Sequence, residues 1–319
     1  MTRDPAVAAA ALRAGRLVAF PTETVYGLGA SLVHPEAVAR IFTAKGRPPG
    51  HPLIVHGADA AILDRYGRDV PDAAWTLAER LWPGPLTLVV NRSADVPDVV
   101  TGGRGTVGLR VPAQPLALEM LRLVGAGVAA PSANPFGRTS PTTAAHVAAD
   151  LGDRVDVILD GGPCGVGLES TILDLTAEPP TVLRSGGLPA ETLDEVLGLA
   201  VERVATGPAR APGMLAAHYA PTARVIVAGD PGPVVARELA AGRRVAVMAP
   251  APGAGVPADA VALVPPDPGT EGYARSLYDL LRRADALGVQ VVVAVPPPAG
   301  GLGDAIRDRL RRAAADQAG

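Results

Sequence analysis

The loop that follows the first predicted strand carries polar side chains beside two glycines. Residues 21–29 have the sequence PTETVYGLG and come directly after a strand predicted at 16–20. Ligand sites of α/β proteins lie in loops of this kind, at the ends of strands. Hydroxyls and a carboxylate next to glycines favour close approach of the backbone to a small polar ligand, although a turn capped by threonines explains the same residues.

Two cations stand close together after the helix predicted at 35–44. Lys45 and Arg47 flank a glycine ahead of a proline-rich loop, and Lys45 is the only lysine among 29 basic residues. A helix dipole stabilises cations at this end, which is a structural reason for both. An ammonium and a guanidinium on a stiff loop also form a clamp for a polyphosphate. Because the chain has no GxxxxGK[ST] motif, a nucleotide must be held by something other than a P-loop.

A third group of candidate residues lies on and near predicted strands. Thr106 and Arg110 are four residues apart on the strand predicted at 106–111, so their side chains share a face. A guanidinium on so apolar a strand needs an anionic partner, and a ligand carboxylate or a protein acid would serve equally. His51 and His56 border the strand predicted at 52–56, where a hydrogen-bonded structural histidine is the commoner outcome.

Hydroxyls and glycines also mark the ends of three later strands. Residues 130–134 (APSAN) end a strand predicted at 127–130, residues 169–171 (EST) begin another, and residues 184–187 (RSGG) end a third. Ser140 is predicted to be the N-cap of the helix near 142–150, with Pro141 at its first position. The free N–H groups of such a helix start also accept a phosphate.

These residues form an inventory of hydroxyls, guanidiniums, one ammonium and glycines, without an evident nucleophile. No Ser-His-Asp triad, metalloprotease helix or glycosidase carboxylate pair is present in the sequence. The single cysteine, Cys164, excludes an internal disulfide, and five scattered histidines predict no metal site built from protein side chains. The inventory predicts a reaction in which the substrates supply the reactive groups while the protein positions them and neutralises charge.

Strands and helices alternate along most of the chain, which predicts an α/β protein. The 319 residues suggest two domains, and Pro/Gly-rich residues 206–222 have linker composition. We therefore predict a domain at 1–205 with a mixed sheet, the linker at 206–222, and a smaller Rossmann-like α/β domain at 223–319. The N-terminus lacks signal-peptide features and no apolar run reaches the ~18 residues of a membrane helix, so we expect a cytoplasmic protein with no membrane partner.

Seven motifs in this order resemble the YrdC/YwlC-type L-threonylcarbamoyladenylate synthases over about residues 5–200. They are FPTETVYGLGA (20–30), KGRPPGHPLIVH (45–56), LWPGPLTLV (81–89), TVGLRVP (106–112), APSANPFGRTSPT (130–142), ESTILDL (169–175) and LRSGG (183–187). The linker motif HYAP (218–221) and the second α/β unit resemble the longer form of that family. The resemblance implies a YrdC-like domain with a twisted mixed sheet and flanking helices, followed by the smaller Rossmann-like domain.

The activity implied by the resemblance is condensation of L-threonine, bicarbonate or CO₂, and ATP to threonylcarbamoyl-AMP and pyrophosphate. ATP is expected to carry Mg²⁺ or a similar divalent cation. The product would pass to threonylcarbamoyl-transfer enzymes that modify an adenosine of tRNA, so that tRNA is an indirect partner.

The resemblance also assigns roles to individual positions. The residues implied around L-threonine are Thr24, His56, Arg110, Ala130 and Ser170. The residues implied around ATP are Arg47, His51, Thr106, Ser132, Ser140 and Arg184. Lys45 and Arg47 are the implied catalytic pair, with Lys45 near the α-phosphate and the carbamate. Ala130 stands where the family often has threonine, so only its backbone could serve, and Tyr219 is either part of a lid or of a plain hinge.

Two other functions fit parts of the sequence. A carbamoyltransferase domain of hydrogenase maturation would share the first domain, but the chain has no room for the acylphosphatase and zinc-finger modules that accompany it. An RNA-binding or ribosome-maturation module is the second alternative. Residues 1–205 carry 17 basic against 22 acidic residues and aromatics make up only 3% of the chain, which disfavours RNA binding by base stacking.

Overall fold

The computed structural model describes residues 1–203, 219–251 and 256–315, which form two compact units. The first unit contains residues 1–136, 141–165 and 169–203. The second contains the described residues from 219 onward together with the short segments 137–140 and 166–168. The predicted linker lies outside the described residues up to 218, so its bounds stay a prediction.

The first unit is built on a mixed sheet with helices. Its helices are α1 (Pro5–Arg13), α2 (Pro35–Lys45), α3 (Ile62–Tyr66), α4 (Asp72–Leu81), α5 (Asp98–Thr101), α6 (Pro115–Val124), α7 (Ala144–Leu151) and α8 (Ala190–Leu197). Its strands are β1 (Val18–Phe20), β2 (Gly27–Ser31), β3 (Ile54–His56), β4 (Leu86–Asn91), β5 (Thr106–Arg110), β6 (Val128–Ala130), β7 (Val157–Ile158), β8 (Thr171–Asp174), β9 (Thr181–Arg184) and β10 (Glu202–Arg203). Their order in the sheet is β10-β9-β8-β4-β5-β3-β6-β2-β1-β7, with both parallel and antiparallel neighbours.

The two faces of this sheet differ in chemistry. Leu88 and Leu109 are paired across β4 and β5 and belong to the large apolar core, which also includes residues of α2 and α4. The alternate positions point to the opposite face, where residues of α1 and α6 pack on the β1 and β6 end and Ile54, Val89, Ile172 and Leu183 form a smaller apolar cluster. This second face is the one on which the polar candidate residues of β3, β5 and β8 lie.

Local sequence explains where α2 ends, which sets the position of the lone lysine. Pro35 occupies the first turn, where a missing N–H costs nothing. Gly46 adopts the left-handed conformation (φ 61°) that closes a helix and that most other residues avoid. Lys45 is therefore the last residue of α2, and the chain turns sharply after it.

The predicted loop 21–29 is shorter than expected because Gly27–Ser31 form strand β2. This strand is antiparallel to β1 and β6. A Cβ added at Gly29 would lie 2.8 Å from Val128 Cγ1 and 2.9 Å from Phe20 Cε1. Gly29 is therefore needed so that the ring of Phe20 can pack against the strand. The sequence had suggested instead that the glycines of this loop let a ligand approach the backbone.

The prediction that Ser140 is the N-cap of α7 is wrong. The helix begins at Ala144, and Thr143 is the cap: its backbone is extended (φ −140°, ψ 160°) and its hydroxyl accepts a hydrogen bond from His146 N at 3.2 Å. Both residues have hydroxyls suited to capping, but the chain remains non-helical from 139 to 142. Ser140 is buried in the segment that belongs to the second unit.

The second unit contains a four-stranded parallel sheet in the order β11-β14-β12-β13. Its elements are β11 (Arg224–Val227), α9 (Gly232–Ala240), β12 (Val245–Met248), β13 (Val261–Leu263), α10 (Thr270–Ala286), β14 (Val291–Ala294) and α11 (Leu302–Ala315). Valines of the strands and Val235 of α9 form its apolar core. Runs of valine are typical of parallel strands covered on both faces.

Within residues 1–203, 219–251 and 256–315, none of the helices combines the length and the apolar composition needed to cross a membrane.

Candidate active site

Arg110, at the end of β5, is the centre of the first polar group. Its side chain is 4% exposed, and its Nη2 donates a hydrogen bond to Thr24 Oγ1 at 2.9 Å. The same nitrogen lies 2.8 Å from Glu23 Oε1, and Nε donates to Gly84 O at 3.3 Å. The anionic partner that the strand position of Arg110 demanded is therefore supplied by the protein, from a loop that precedes it by more than 80 residues.

Hydrogen bonds within the loop hold Thr24 in place. The hydroxyls of Thr22 and Thr24 share a hydrogen bond of 2.7 Å, and Thr22 Oγ1 donates to Val25 O at 2.6 Å. Glu23 is fixed from the other side, since Ala113 N donates to its Oε2 at 3.1 Å. The loop thus presents a hydroxyl and a carboxylate to Arg110 in a defined geometry.

His56 lies beside Arg110 because the parallel pairing of β3 and β5 puts the two residues opposite each other. It is buried, its ring meets the edge of Phe20 at a centroid distance of 5.6 Å, and its Nδ1 has no hydrogen-bond partner within the described ranges of the chain. Burial, and then the charge of Arg110, lower its pKa to about 3. The imidazole is therefore neutral at physiological pH and offers an unused nitrogen next to a guanidinium.

A second polar group joins β4, β8 and β9. Arg184 donates from Nη2 to Ser170 O at 2.8 Å and to Ser170 Oγ at 3.1 Å, and from Nε to the same carbonyl at 3.1 Å. Ser170 Oγ also shares a hydrogen bond of 2.8 Å with the buried hydroxyl of Thr87. Ser170, predicted near threonine, and Arg184, predicted near ATP, are thus in direct contact.

The close approach of these strand ends requires glycine at position 186. A Cβ added there would lie 2.3 Å from Glu169 O and 2.4 Å from the carbonyl carbon of Ser170. Any side chain would push the turn after β9 away from the start of β8. The first glycine of the RSGG motif is therefore explained by packing of backbone against backbone, which places Arg184 on Ser170.

Lys45 is buried at the end of α2, with 3% of its surface exposed. Its Nζ donates to Ser132 O at 2.5 Å and to Asn134 O. Burial, followed by the charge of Arg47, lowers the pKa of Lys45 well below the ordinary value of lysine. The two carbonyls bond the ammonium, and the charge of Asp150 offsets the effects of burial and Arg47 only in part. An added anion would therefore compensate the buried charge better.

Arg47 and His51 lie close to Lys45 along the proline-rich loop. Arg47 is buried, donates from Nη2 to Pro52 O at 3.0 Å, and stacks on Phe136 at 5.8 Å from the ring centre. The ring of His51 also contacts Phe136, at a centroid distance of 5.5 Å. Partial burial and the charges of Arg47 and Arg104 lower the pKa of His51. Arg47 therefore adds positive charge beside Lys45, while His51 contributes a neutral ring.

The remaining predicted residues are divided between the first and the second unit. Thr106 is half-buried at the start of β5, and Ala130 ends β6, where its backbone pairs with β3. Ser140 and Tyr219 belong to the second unit. There Tyr219 is buried with positive φ (69°), stacks on Tyr278 at 5.7 Å, and lies under the guanidinium of Arg309 at 5.0 Å.

Two residues of the site were not singled out from the sequence. Glu23 lies inside the PTETVYGLG loop, and its carboxylate was the signal that could have paired it with Arg110. Thr87 is the one hydroxyl in the apolar run LTLVV, a pattern that suggests a buried polar contact. Among the described residues, no three acidic, histidine or cysteine side chains form a group suited to a metal ion.

Buried cations and hydroxyls at strand and helix ends beside a mixed sheet are typical of α/β proteins that bind small anionic and zwitterionic ligands. Family comparison makes the class specific. The Sua5/YciO/YrdC family model, described as "Telomere recombination", matches residues 10–186, and the model described as "Threonylcarbamoyl-AMP synthase, C-terminal domain" matches residues 188–315. The chain belongs to the Sua5/YciO/YrdC family, in its two-domain form.

Individual relatives align with this chain over nearly its whole length. Threonylcarbamoyl-AMP synthase of Pyrococcus abyssi is 46% identical over 321 residues, which cover 96% of this chain and 93% of the relative. The enzyme of the same name from Bacillus subtilis is 43% identical over 325 residues, covering 98% and 94%. The crystal structure of P. abyssi Sua5 complexed with L-threonine superimposes with a TM-score of 0.91, at 43% identity over 97% of this chain and 94% of that one.

These comparisons confirm the family resemblance, the α/β fold class with its smaller second domain, and the enzyme class, a threonylcarbamoyl-AMP synthase.

Proposed function

We propose that the protein condenses L-threonine, bicarbonate or CO₂, and ATP to L-threonylcarbamoyl-AMP with release of pyrophosphate. One observation carries the proposal. Arg110 is buried between Thr24 and His56, and two polar atoms next to it, Glu23 Oε1 and His56 Nδ1, have no hydrogen-bond partner among the residues that the structure describes. Buried polar atoms without a hydrogen-bond partner are typical of a site that a ligand completes.

L-threonine fits the first polar group. Arg110 is the natural partner for its carboxylate, since a guanidinium forms two parallel hydrogen bonds to such a group. The neutral imidazole of His56 can exchange a hydrogen bond with a hydroxyl or an amine. Thr24, Ala130 and Ser170 complete the proposed threonine set. The complex of the P. abyssi relative with L-threonine supports this proposal.

ATP fits the positive groups beside the threonine pocket. The charges of Lys45 and Arg47 attract phosphates, and an ammonium whose pKa is lowered by burial gains most when an anion restores its charge balance. The other residues proposed to contact ATP are His51, Thr106, Ser132, Ser140 and Arg184. ATP is expected to bring Mg²⁺ or a similar divalent cation on its phosphates.

Lys45 has the central chemical role in this proposal. An oxygen of the threonine carbamate attacks the α-phosphorus of ATP, and the bond between that phosphorus and the bridging oxygen breaks as pyrophosphate leaves with the electron pair. Negative charge gathers around the α-phosphate during this step. A buried cation stabilises that charge more strongly than one in water does, and it needs no reorganisation when its position is already fixed by two carbonyls.

The biological setting belongs to the same proposal. The product would serve threonylcarbamoyl-transfer enzymes in the modification of tRNA, and the reaction would take place in the cytoplasm. Tyr219, proposed from the sequence as a lid residue, would act only if the segment that carries it closes over bound substrates.

The test is pyrophosphate release by the purified protein with ATP, with and without L-threonine and bicarbonate. We expect release to require both, and to be lost in Lys45→Ala. Arg122→Ala is the matched control, since it removes an exposed cation of α6 and should keep full activity. Threonine-independent cleavage of ATP would instead favour the carbamoyl-transfer alternative. Absence of turnover together with salt-sensitive RNA binding would favour the RNA-binding one.

A further inference from the structure

Glu23 is a buried carboxylate to which the family resemblance assigned no role. Its side chain is 12% exposed, and its Oε2 is satisfied by Ala113 N. Its Oε1 lies 2.8 Å from Arg110 Nη2, but the hydrogen bonds of Arg110 go to Thr24 and Gly84, and no N–H or O–H group of the described part of the chain donates to Oε1. An ionised oxygen held in this way has capacity for a further donor.

The charges around this carboxylate are balanced for a particular kind of ligand. Arg110 contributes one buried positive charge and Glu23 one negative charge, while His56 stays neutral. Burial makes an uncompensated charge costly, so a pocket with one charge of each sign favours a ligand that also carries one of each. An α-amino acid is such a ligand, whereas a simple carboxylic acid leaves the glutamate without a new partner.

We propose that Glu23 binds the α-ammonium group of the amino-acid substrate and thereby selects a zwitterion over an anion of the same shape. The carboxylate of the substrate takes Arg110, and its ammonium donates to Glu23 Oε1, the oxygen that lacks a donor. Before the substrate enters, the contact between Glu23 and Arg110 holds the two groups in their binding positions. This inference rests on the proposed function, since it takes L-threonine as the occupant of the pocket.

The experiment compares L-threonine with (R)-3-hydroxybutanoate, which has the same carbon skeleton and hydroxyl but no ammonium. Calorimetric titration of the full-length protein gives the dissociation constant of each. We expect the wild type to bind L-threonine about 10- to 100-fold more tightly, the range that corresponds to a hydrogen bond between charged groups. In Glu23→Gln the ratio should fall towards 1, because the amide carries no charge and Arg110 then favours a plain anion.

Two further variants separate this role from a structural one. Glu36→Gln removes an exposed glutamate of α2 and should keep both affinities of the wild type. Glu23→Asp keeps the charge but withdraws the carboxylate by one methylene, so it should weaken binding of L-threonine more than binding of the analogue. It also provides the test if Glu23→Gln does not fold, which thermal unfolding will show.

The outcomes are distinct. If the wild type binds L-threonine but Glu23→Gln leaves the ratio of the two affinities unchanged, or if Glu23→Asp weakens both ligands equally, the role of Glu23 is refuted while the proposed function stands. Equal binding of both ligands by the wild type refutes it as well. If the wild type neither binds L-threonine nor releases pyrophosphate with it, the proposed function fails and this inference fails with it.

Discussion

The buried histidine of the threonine pocket predicts a specific dependence of stability on pH. His56 stays neutral in the folded chain because burial and Arg110 lower its pKa from 6.5 to about 3. In the unfolded chain the same imidazole takes up a proton below pH 6.5. The unfolded state therefore binds more protons than the folded one between pH 6.5 and pH 3, and the free energy of unfolding falls as the pH falls through this window.

The size of the loss follows from the shift in pKa. Each pKa unit corresponds to about 1.4 kcal/mol, so the full difference between pH 6.5 and pH 3 is about 5 kcal/mol, and the part lost by pH 4 is about 3 kcal/mol. That is a large share of the total stability of an ordinary domain, about 5–15 kcal/mol. His56→Gln replaces the imidazole by an amide that does not titrate, so the variant should lack this share of the acid loss.

Urea unfolding at a series of pH values between 7 and 4 measures the effect. Both tryptophans of the chain, Trp75 and Trp82, belong to the first unit, so their fluorescence follows the unit that contains His56. His34→Gln is the matched control because His34 lies at the surface, paired with Glu36. His34→Gln should lose as much free energy of unfolding between pH 7 and pH 4 as the wild type does.

The quantity to compare between the variant and the wild type is the loss in free energy of unfolding between pH 7 and pH 4. The free energy of unfolding at pH 7 is not compared, because the substitution can change it for other reasons. If His56→Gln loses as much free energy of unfolding between pH 7 and pH 4 as the wild type does, His56 is not held neutral in the folded chain. The neutral imidazole in the proposed threonine pocket would then be wrong as well.

Two substitutions test how the strand ends are positioned, and a third tests the cap of α7. Thr87→Val removes the hydrogen bond to Ser170 Oγ and should lower the free energy of unfolding by about 1 kcal/mol in urea unfolding, with weaker L-threonine binding by calorimetry. Gly186→Ala introduces a Cβ 2.3 Å from Glu169 O, so it should cost about 1–3 kcal/mol and raise KM for L-threonine and for ATP. Unchanged kinetics would contradict the contact. Thr143→Ala removes the cap of α7 and should cost about 1 kcal/mol while pyrophosphate release stays at the wild-type rate.

Individual elements show which features of the structure could be predicted from the sequence alone. The motifs placed polar groups at the ends of strands, and Lys45 stands where the helix and Gly46 were expected to put it. A linear pattern does not show which strands pair, and strand pairing decides which of these residues become neighbours. His56 and Arg110 are neighbours because β3 and β5 pair in parallel register, and Glu23 meets Arg110 across more than 80 residues of chain.

The predictions that failed did so where tertiary contacts decided between local alternatives. The glycines of residues 21–29 suggested a continuous loop, but the ring of Phe20 packs against Gly29 and the segment becomes strand β2. By residue type Ser140 is the better cap of the two, since serine caps helices more strongly than threonine does. Thr143 is the cap because its backbone is extended and its hydroxyl meets His146 N. The burial of Lys45 had no local signal beyond its being the only lysine.

A carboxylate in the second unit gives a last prediction, which concerns that unit alone. Glu238 of α9 is 2% exposed and meets three guanidiniums, with Nη2 of Arg224 at 2.6 Å, Nη2 of Arg237 at 2.9 Å, and Nη1 of Arg243. Hydrogen bonds from these arginines outweigh the effect of burial and lower its pKa to about 2. The stabilisation is therefore complete above the unfolded value of about 4.5 and is lost as the pH falls towards 2.

Glu238→Gln should leave three like charges around a neutral amide, and their repulsion is screened by salt. We expect the variant to unfold at a lower temperature than the wild type in dilute buffer, and this difference to shrink as sodium chloride is raised to about 1 M. Hydrogen–deuterium exchange of the backbone amides of β11, β12 and β14, measured at rising temperature, follows the second unit alone. Glu271→Gln, near the start of α10, is the control with the same change of charge. A difference that does not shrink with salt would mean that Glu238 acts through packing, and that the three arginines do not depend on it for charge balance.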